Sequence, residues 1–334
     1  MELIQFPKVC ILLAYYKGES YITEQLLSIL EQDYQGDIQI LIRDDHPKEL
    51  IKKIISSLEF NNSYRTISYY ENSSSSKGHL ENFSKLCDLA LLTKANYFLF
   101  SDQDDYWHSN KVSTLLSGIR EKEKQIGNHK PILVHSDLRV VDSSLNLIDP
   151  SLFRFQQLPD QTELHLPRFL IQNNVTGCAS LFNRALLEVA APIPKEAIVH
   201  DWWFGLCAHL TGEIEFKDVS LLDYRQHIAN SIGAKSSREQ RNIFKKYIYK
   251  NTLKFPAHIQ NSIFQTSALL SRLNRVGGGT SLSLKHLEDF VNLSNLTWFG
   301  RLKLASFFFT SKSSFLEKLY FYLIFFIYPW LDNE

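Results

Sequence analysis

The sequence has few of the features that mark an exported, nucleic-acid-binding or membrane-spanning protein. Its four cysteines are far apart, without the paired spacing of a zinc site or of a secreted disulfide framework. Residues 1–7 lack the basic stretch and long apolar region of a signal peptide. Lysine plus arginine and aspartate plus glutamate both total 36, and the pI is near 7.2. These absences favour a cytosolic protein that does not bind nucleic acid and whose nucleotide ligand, if it has one, is small.

The first hundred residues show an alternation of strand and helix patterns. A length of 334 residues with 44% hydrophobic content supports a large core. Continuous apolar runs are typical of parallel strands that are covered on both faces, and helical spacing separates them here. The strands are predicted at 9–14, 38–42, 67–70 and 97–101, and the helices at 22–30, 50–58 and 79–92. The order predicts an α/β fold with a mostly parallel, Rossmann-like sheet flanked by helices.

The pattern changes in the second half of the chain. Helices are predicted at 110–124, at 184–190 and from Asp201, and short strands at 132–135, 178–182 and 219–224. From residue 236 onward the sequence is helical, lysine-rich and aromatic. We therefore predict an α/β domain over 1–235, made of halves 1–110 and 111–235, and a helical C-terminal region over 236–334.

An apolar, aromatic run at 316–331 follows basic residues that include Arg301, Lys303 and Lys312. Such a helix can lie in a membrane interface, although the run is marginal for crossing a bilayer. It can equally pack on the core or in a contact between copies of the chain. The sequence leaves both interpretations open.

Acidic residues follow two of the predicted strands. Asp44 and Asp45 end the second, and Asp102, Asp104 and Asp105 follow the run at 97–101. Ligands of open α/β sheets bind beyond the carboxyl ends of the strands. Clustered carboxylates raise one another's pKa, and Mg²⁺ or Mn²⁺ with substrate phosphates removes that cost. An acidic turn before the next helix explains the second cluster about as well.

Five motifs in order resemble family 2 glycosyltransferases, in particular bacterial rhamnosyltransferase-like members that build surface polysaccharides. They are the stretch 9–34 with its turn at 14–19, then 42–45, 98–111, 173–178 with 200–203, and 224–227. The resemblance covers about the first two thirds of the chain. It implies a GT-A fold, a nucleotide-sugar donor, a divalent metal and inverting displacement at the anomeric carbon.

The resemblance also implies roles for individual residues at the donor side. Those for the nucleotide-sugar are Ala14, Tyr15, Asp44, Asp45, Asp102, Gln103 and Arg225. Those for a metal, Mn²⁺ or Mg²⁺, are Asp104, Asp105 and His227. Tyr15 and Lys17 stand where the family usually has Thr and Asn, which leaves the base preference open.

Asp201 is the candidate general base, because the family has an acidic residue at a helix start in this position. Ionised carboxylates are favoured at helix N-termini, and a plain N-cap is the alternative. The acceptor-side candidates are Asn173, Asn174, Thr176, His200, Trp202 and Trp203. For the two tryptophans, core packing is the alternative to contact with a sugar ring.

The predicted function is inverting, metal-dependent transfer of a hexose or deoxyhexose from a UDP- or dTDP-sugar to a lipid-linked or protein-linked glycan, in bacterial surface polysaccharide or glycoprotein assembly. A nucleotidyltransferase or phosphotransferase with the same carboxylate-metal site is the first alternative. Residues 14–18 contain one glycine and no phosphate-binding loop pattern, which counts against it. A non-catalytic carbohydrate-binding relative is the second, and it would need neither a base nor a metal cluster. The predicted location is cytoplasmic, with the inner membrane face as a possible peripheral site.

Overall fold

The computed structural model describes residues 6–58, 63–74, 76–156, 158, 165–227 and 254–308. Two predictions fall outside these residues. They are the domain boundary near residue 235 and the apolar aromatic run at 316–331.

The first hundred residues form alternating strands and helices, as predicted. The strands are β1 (Val9–Tyr15), β2 (Ile38–Asp44), β3 (Arg65–Glu71) and β4 (Tyr97–Ser101), and the helices are α1 (Ile22–Leu30), α2 (Glu49–Ser57) and α3 (His79–Leu91). The strands pair in parallel in the order β3-β2-β1-β4. Their carboxyl ends therefore lie at one edge, where Leu13 is opposite Ser101 and Tyr15 is opposite Asp44.

The second half of the chain extends the same sheet. The added strands are β5 (Tyr106–Trp107), β6 (Ile132–Val141), β7 (Leu147–Asp149), β8 (Ser180–Asn183) and β9 (Glu213–Arg225), and the helices are α4 (Lys111–Ile126), α5 (Leu152–Gln156), α6 (Leu166–Ile171), α7 (Arg184–Ala190) and α8 (His200–Thr211). The full order is β3-β2-β1-β4-β8-β6-β9-β5, with β7 beside β6. Strand β8 is antiparallel to both of its neighbours, whereas β6 and β9 pair in parallel.

Several predicted boundaries in this half were wrong. The strand predicted at 178–182 begins at Ser180, because Gly177–Ala179 form a 3-10 turn. Strands β6 and β9 are much longer than predicted, since they pair with each other along their length, with register shifts that break the sequence pattern. Helix α8 begins at His200 with Val199 at its N-cap, so Asp201 lies in the first turn and is not the cap.

Burial on both faces explains the continuous apolar run of β1. The side chains of Cys10 and Leu12 join a core with α3, α7 and α8. Those of Val9, Ile11 and Leu13 join a second core with α1 and α4. A strand covered on both sides has no solvent face, so apolar residues occupy successive positions.

Three C-terminal helices are described: α9 (Lys254–Val276), α10 (Ser281–Val291) and α11 (Trp298–Phe308). Helix α9 packs on the catalytic body and shares its core. The buried Arg272 guanidinium donates to the carbonyl oxygens of Ala191 (3.0 Å) and Pro192 (2.7 Å), and Gln265 Oε1 accepts from the Ile198 N–H (2.8 Å). Among the described helices, none combines the length and the apolar character needed to cross a bilayer.

Candidate functional site

The site lies at the carboxyl edge of β1, β2 and β4. Because Tyr15 is in register with Asp44 and Leu13 with Ser101, the turn after β1 lies between the two acidic segments. Ala14 is half-buried there, and Tyr15 is buried. Burial raises the pKa of the Tyr15 phenol, with further contributions from Glu19 and Asp44. The register thus brings together the predicted nucleotide-binding residues of three strands.

Gln103 fastens the acidic loop to the turn after β1. Its Oε1 accepts from the Tyr16 N–H (2.6 Å), and its Nε2 donates to the Tyr16 carbonyl oxygen (2.9 Å). A Cβ on Gly18 would lie 2.4 Å from the Gln103 side chain, so the turn needs glycine for this approach. Gln103 thus holds the backbone that borders the site, and its predicted contact with the nucleotide stays a prediction.

Asp44 and Asp45 are both buried and both bonded to the protein. Asp44 accepts from the Tyr69 hydroxyl (2.8 Å) and the His46 N–H (2.7 Å). Burial is the largest effect on the Asp44 carboxyl and raises its pKa. Asp45 pairs with Arg43 (2.9 Å) and accepts from the Gly78 N–H (2.8 Å). Asp45 therefore holds the loop before α3 in place.

Asp104 and His227 form a pair across 123 residues of sequence. His227 follows β9, and its Nε2 lies 2.8 Å from Asp104 Oδ2. Burial and the neighbouring Asp102 raise the pKa of Asp104, and the contact with His227 offsets part of that rise. The pairing of β9 with β6 delivers His227 to the acidic loop, so two of the predicted metal ligands meet in space.

Asp105 is fully buried beneath the loop. Burial raises its pKa well above the ordinary value, and Asp104 and Asp102 add to the rise. The buried Lys111 counteracts this, and its Nζ donates to the Cys178 carbonyl oxygen and lies 3.3 Å from the centre of the Trp107 ring. Burial lowers the pKa of Lys111 to about 7.

The donor atoms present are compatible with a divalent metal. Ligand atoms of Asp102, Asp105 and Cys178 lie within 4.8 Å of one another. Asp105 Oδ2 is buried without a hydrogen-bond partner among the described residues, which is costly for a carboxylate. This cluster shares only Asp105 with the predicted metal residues, because Asp104 and His227 pair with each other. Carboxylates are the ligands that suit Mn²⁺ or Mg²⁺.

Arg225 has several partners within the protein, and its role as a phosphate contact stays a prediction. Its buried guanidinium donates to the carbonyl oxygens of Asp104 (2.8 Å) and Ser143 (2.7 Å) and pairs with Glu24 (2.6 Å). It also lies 4.4 Å from the centre of the Tyr21 ring. Arg225 thereby fixes the backbone that carries Asp104.

Asp201 lies in the first turn of α8, on a different element from the acidic loop. Its carboxylate accepts from Asn173 Nδ2 (3.0 Å), from the Gly177 N–H (2.9 Å) and from the Trp202 N–H (2.7 Å). A Cβ on Gly177 would meet His200 Nε2 at 2.6 Å. Only glycine lets the backbone come close enough to donate to Asp201.

The other predicted acceptor residues differ in exposure. Thr176 is half-buried beside Asp201's partner Gly177, whereas Asn174 and His200 are buried. Trp202 and Trp203 are buried, which favours core packing, the stated alternative to contact with a sugar ring. Their indole N–H groups donate to the carbonyl oxygens of residues 169 (2.6 Å) and 190 (2.8 Å), and both rings lie in the core.

Comparison with known proteins identifies the family of the chain. The family model described as "Glycosyl transferase family 2" matches residues 10–189, more than half of the chain. The chain belongs to glycosyl transferase family 2. The match covers the whole edge formed by β1, β2 and β4, and it confirms the predicted family and an enzyme of the glycosyltransferase type.

Individual relatives agree with the family assignment. This family 2 glycosyltransferase is 28% identical over 236 residues to "dTDP-rhamnosyl transferase RfbG" of Shigella flexneri, covering 67% of this chain and 75% of the relative. Residues 1–349 of S. aureus TarS in complex with UDP align with a TM-score of 0.52 at 14% identity, over 90% of this chain and 89% of that 1–349 chain. GalNAc-T7 with UDP, GalNAc and Mn²⁺ aligns with a TM-score of 0.51 at 11% identity, over 86% of this chain and 56% of the GalNAc-T7 chain. These structures support the GT-A fold that the sequence predicted.

The sequence patterns do not indicate two further residues of this family 2 glycosyltransferase, Lys111 and His79. Burial of Lys111 depends on contacts with Trp107 and with the turn before β8. His79 is the first residue of the amphipathic helix α3. Its Nε2 lies 3.8 Å from Asp102 Oδ1. No spacing rule links it to the acidic loop, 23 residues further along the chain.

The pH dependence of turnover tests the predicted role of Asp201. Burial raises the pKa of the Asp201 carboxyl to about 6, although its N–H donors and His79 lower it in part. A base must be ionised, so kcat/KM should fall below about pH 6 and stay level above it, whereas an ordinary aspartate would stay ionised to about pH 4. Asn173→Ala removes a donor to the ionised form and should move this limb to higher pH. If kcat/KM instead fell only near pH 4, and at the same pH in Asn173→Ala, Asp201 would not be the general base.

Proposed function

We propose that this family 2 glycosyltransferase is an inverting, metal-dependent enzyme that moves a hexose or deoxyhexose from a UDP- or dTDP-sugar to a glycan hydroxyl. The observation that carries the proposal is the division of the acidic groups between two environments. Asp104 pairs with His227, whereas Asp201 is held by Asn173 and the Gly177 backbone. Carboxyl groups in different environments can serve different steps of one reaction.

The donor side is the edge formed by β1, β2 and β4. Asp104 and His227, with Asp105 below them, would hold the metal, and Asp102 lies beside them for the ribose. A bound divalent metal would neutralise the charge that develops on the leaving diphosphate. Asp44 and the turn at Tyr15 would line the nucleoside.

Asp201 acts on the acceptor. Its carboxylate removes the proton of the attacking hydroxyl while that oxygen forms a bond to the anomeric carbon. The bond from the anomeric carbon to the diphosphate oxygen breaks on the opposite face, and the nucleoside diphosphate leaves. Attack opposite to the leaving group inverts the anomeric configuration. Asn173 keeps the carboxylate oriented, and Thr176 lies where an acceptor would approach.

The choice of donor is supported by the names of the relatives. A dTDP-rhamnosyl transferase is the curated relative, which favours a dTDP-deoxyhexose. TarS was solved with UDP, which keeps UDP-sugars as candidates. The GalNAc-T7 structure contains Mn²⁺, which supports a metal-dependent reaction. The acceptor would be a lipid-linked or protein-linked glycan in bacterial surface polysaccharide or glycoprotein assembly, built in the cytoplasm.

The C-terminal helices would bring this enzyme to the inner face of the cell membrane. Trp298 and Phe299 are 65% and 79% exposed at the start of α11, close in sequence to Arg301 and Lys303. Exposed aromatic side chains beside basic ones favour an anionic lipid surface.

This membrane contact is tested with the full-length chain and vesicles that contain anionic lipid. A Trp298→Ser, Phe299→Ser double variant should bind vesicles several-fold less than the wild type, because both inserted rings are lost. Leu92→Ser, at an exposed position after α3, is the control and should bind normally. Equal vesicle binding by the double variant, with a smaller particle mass in light scattering, would favour a contact between copies instead.

The reaction is tested by donor hydrolysis, which needs no acceptor. UDP- and dTDP-sugars are supplied with Mn²⁺ or Mg²⁺, and release of the nucleoside diphosphate is measured with and without a chelator. We expect release from one donor class, abolished by the chelator. Release of the nucleoside monophosphate with sugar 1-phosphate instead would show attack at phosphorus and would favour a nucleotidyltransferase or phosphotransferase.

A further inference from the structure

His79 lies beside Asp102 and beside the residue that precedes Asp201. It is the first residue of α3, after Gly78, whose φ of 120° turns the chain into the helix. Its Nε2 lies 3.8 Å from Asp102 Oδ1. Its ring is next to that of His200, which directly precedes Asp201 in α8. The imidazole is thus close to the donor-side carboxylate and to the turn of α8 that carries the candidate base.

Aromatic neighbours hold the His79 ring in one orientation. Its centre lies 4.8 Å from the His200 ring and 4.9 Å from the Phe83 ring, which it meets edge-on. The His200 ring stacks on Phe83 at 3.8 Å, and neither of its nitrogens has a hydrogen-bond partner among the described residues. Burial keeps the His200 pKa well below its usual value, so this ring is a neutral wall. The buried His200 and Phe83 rings therefore cover one side of the His79 imidazole, and a ligand can approach only from the other side.

The side chain of His79 remains available to a ligand. About a third of it is exposed, close to the fraction for Asp102. A separation of 3.8 Å is too long for a direct hydrogen bond. One hydroxyl oxygen can lie about 2.8 Å from both atoms at once. The gap therefore matches a bridging hydroxyl of a ligand.

We propose that His79 is a specificity-determining residue that hydrogen-bonds a hydroxyl of the donor sugar, shared with Asp102 Oδ1, which leaves Asp102 Oδ2 for the ribose. This inference rests on the proposed function. The anomeric carbon must lie between the diphosphate near Asp104 and the acceptor oxygen near Asp201. A side chain close to both Asp102 and the start of α8 therefore contacts the transferred sugar. It is too far along the site to contact the nucleobase or the distant residues of the acceptor glycan. The imidazole offers a donor or an acceptor to one hydroxyl, so sugars that differ at that hydroxyl are distinguished.

The test compares full-length wild type, His79→Ala and His79→Gln in donor hydrolysis with the preferred nucleotide-sugar. His129→Ala, in an exposed turn at the opposite end of the sheet, is the matched control. We expect His79→Ala to lower kcat/KM for the nucleotide-sugar roughly 10-fold, as for the loss of one substrate hydrogen bond. Inhibition by the nucleoside diphosphate alone should change less than about twofold, because that ligand has no sugar. His79→Gln should restore part of the loss, and thermal melting checks that each variant folds.

Deoxy analogues of the donor sugar then identify the hydroxyl. The analogue that lacks the contacted hydroxyl should react equally well with wild type and His79→Ala, whereas the other analogues should keep the roughly 10-fold difference. A wild type that releases no nucleoside diphosphate from any donor would contradict the proposed function and this inference with it. An active wild type with unchanged kcat/KM in His79→Ala, or with equal weakening of nucleoside diphosphate inhibition, would contradict the inference alone.

Discussion

An Asp201→Asn enzyme is expected to lose transfer by about 10²- to 10⁴-fold while it keeps its affinity for the nucleotide. The amide has nearly the same shape but cannot take the proton of the acceptor hydroxyl. The residues proposed for the diphosphate are elsewhere, at Asp104 and His227. Turnover is measured with the donor found by the hydrolysis panel, and nucleoside diphosphate affinity is measured by calorimetry with the metal present.

The control for Asp201→Asn is Asp33→Asn, which makes the same chemical change at an exposed position. Asp33→Asn should be fully active. Because the amide introduced by Asp201→Asn has one acceptor atom fewer for the Gly177 and Asn173 donors, a modest fall in melting temperature is expected. Turnover within a few-fold of wild type in folded Asp201→Asn would remove Asp201 as the base.

An Asp104→Ala enzyme is expected to lose donor binding and turnover together. Asp104 contributes the carboxylate that faces His227, and its removal leaves the proposed metal with a poorer ligand set. Loss of outer-shell partners alone costs roughly 10- to 100-fold in metal affinity, so loss of a direct ligand should cost more than about 100-fold. Mn²⁺ affinity can be followed by electron paramagnetic resonance and donor binding by calorimetry.

Asp218→Ala, at an exposed position in β9, controls for the loss of one carboxylate and should bind Mn²⁺ as the wild type does. Excess Mn²⁺ should restore part of the activity of Asp104→Ala if the defect is metal affinity. Unchanged Mn²⁺ binding and unchanged donor affinity in Asp104→Ala would contradict the metal-site assignment.

The donor edge could be predicted from the sequence because its causes are local. Strands that are buried on both faces have continuous apolar runs, and carboxylates that directly follow such strands must reach the same edge of a parallel sheet. The register of Tyr15 with Asp44 and of Leu13 with Ser101 follows from this arrangement. His227 and Asp201 were predicted from the family motifs alone. They are far from the acidic loop in sequence, so no local pattern places them at the site.

The rest depends on contacts that no local pattern contains. His79 begins an ordinary amphipathic helix, and only the packing of α3 against α8 brings it near Asp201. Trp202 and Trp203 are adjacent on α8, so they point in different directions. Neighbouring helices cover both of them. In the sequence, aromatic residues beside a candidate base are compatible with stacking on a sugar ring. In the fold, the neighbouring helices bury both rings in the core.

The configuration of the released sugar tests the central claim most directly. During donor hydrolysis, water takes the place of the acceptor hydroxyl and attacks the anomeric carbon, and proton NMR identifies the anomer formed before mutarotation. We expect the wild type with Mn²⁺ or Mg²⁺ to form the anomer opposite to that of the donor, and Asp201→Asn to form much less of it. First formation of the anomer with the donor's own configuration would contradict inverting transfer with Asp201 as the base.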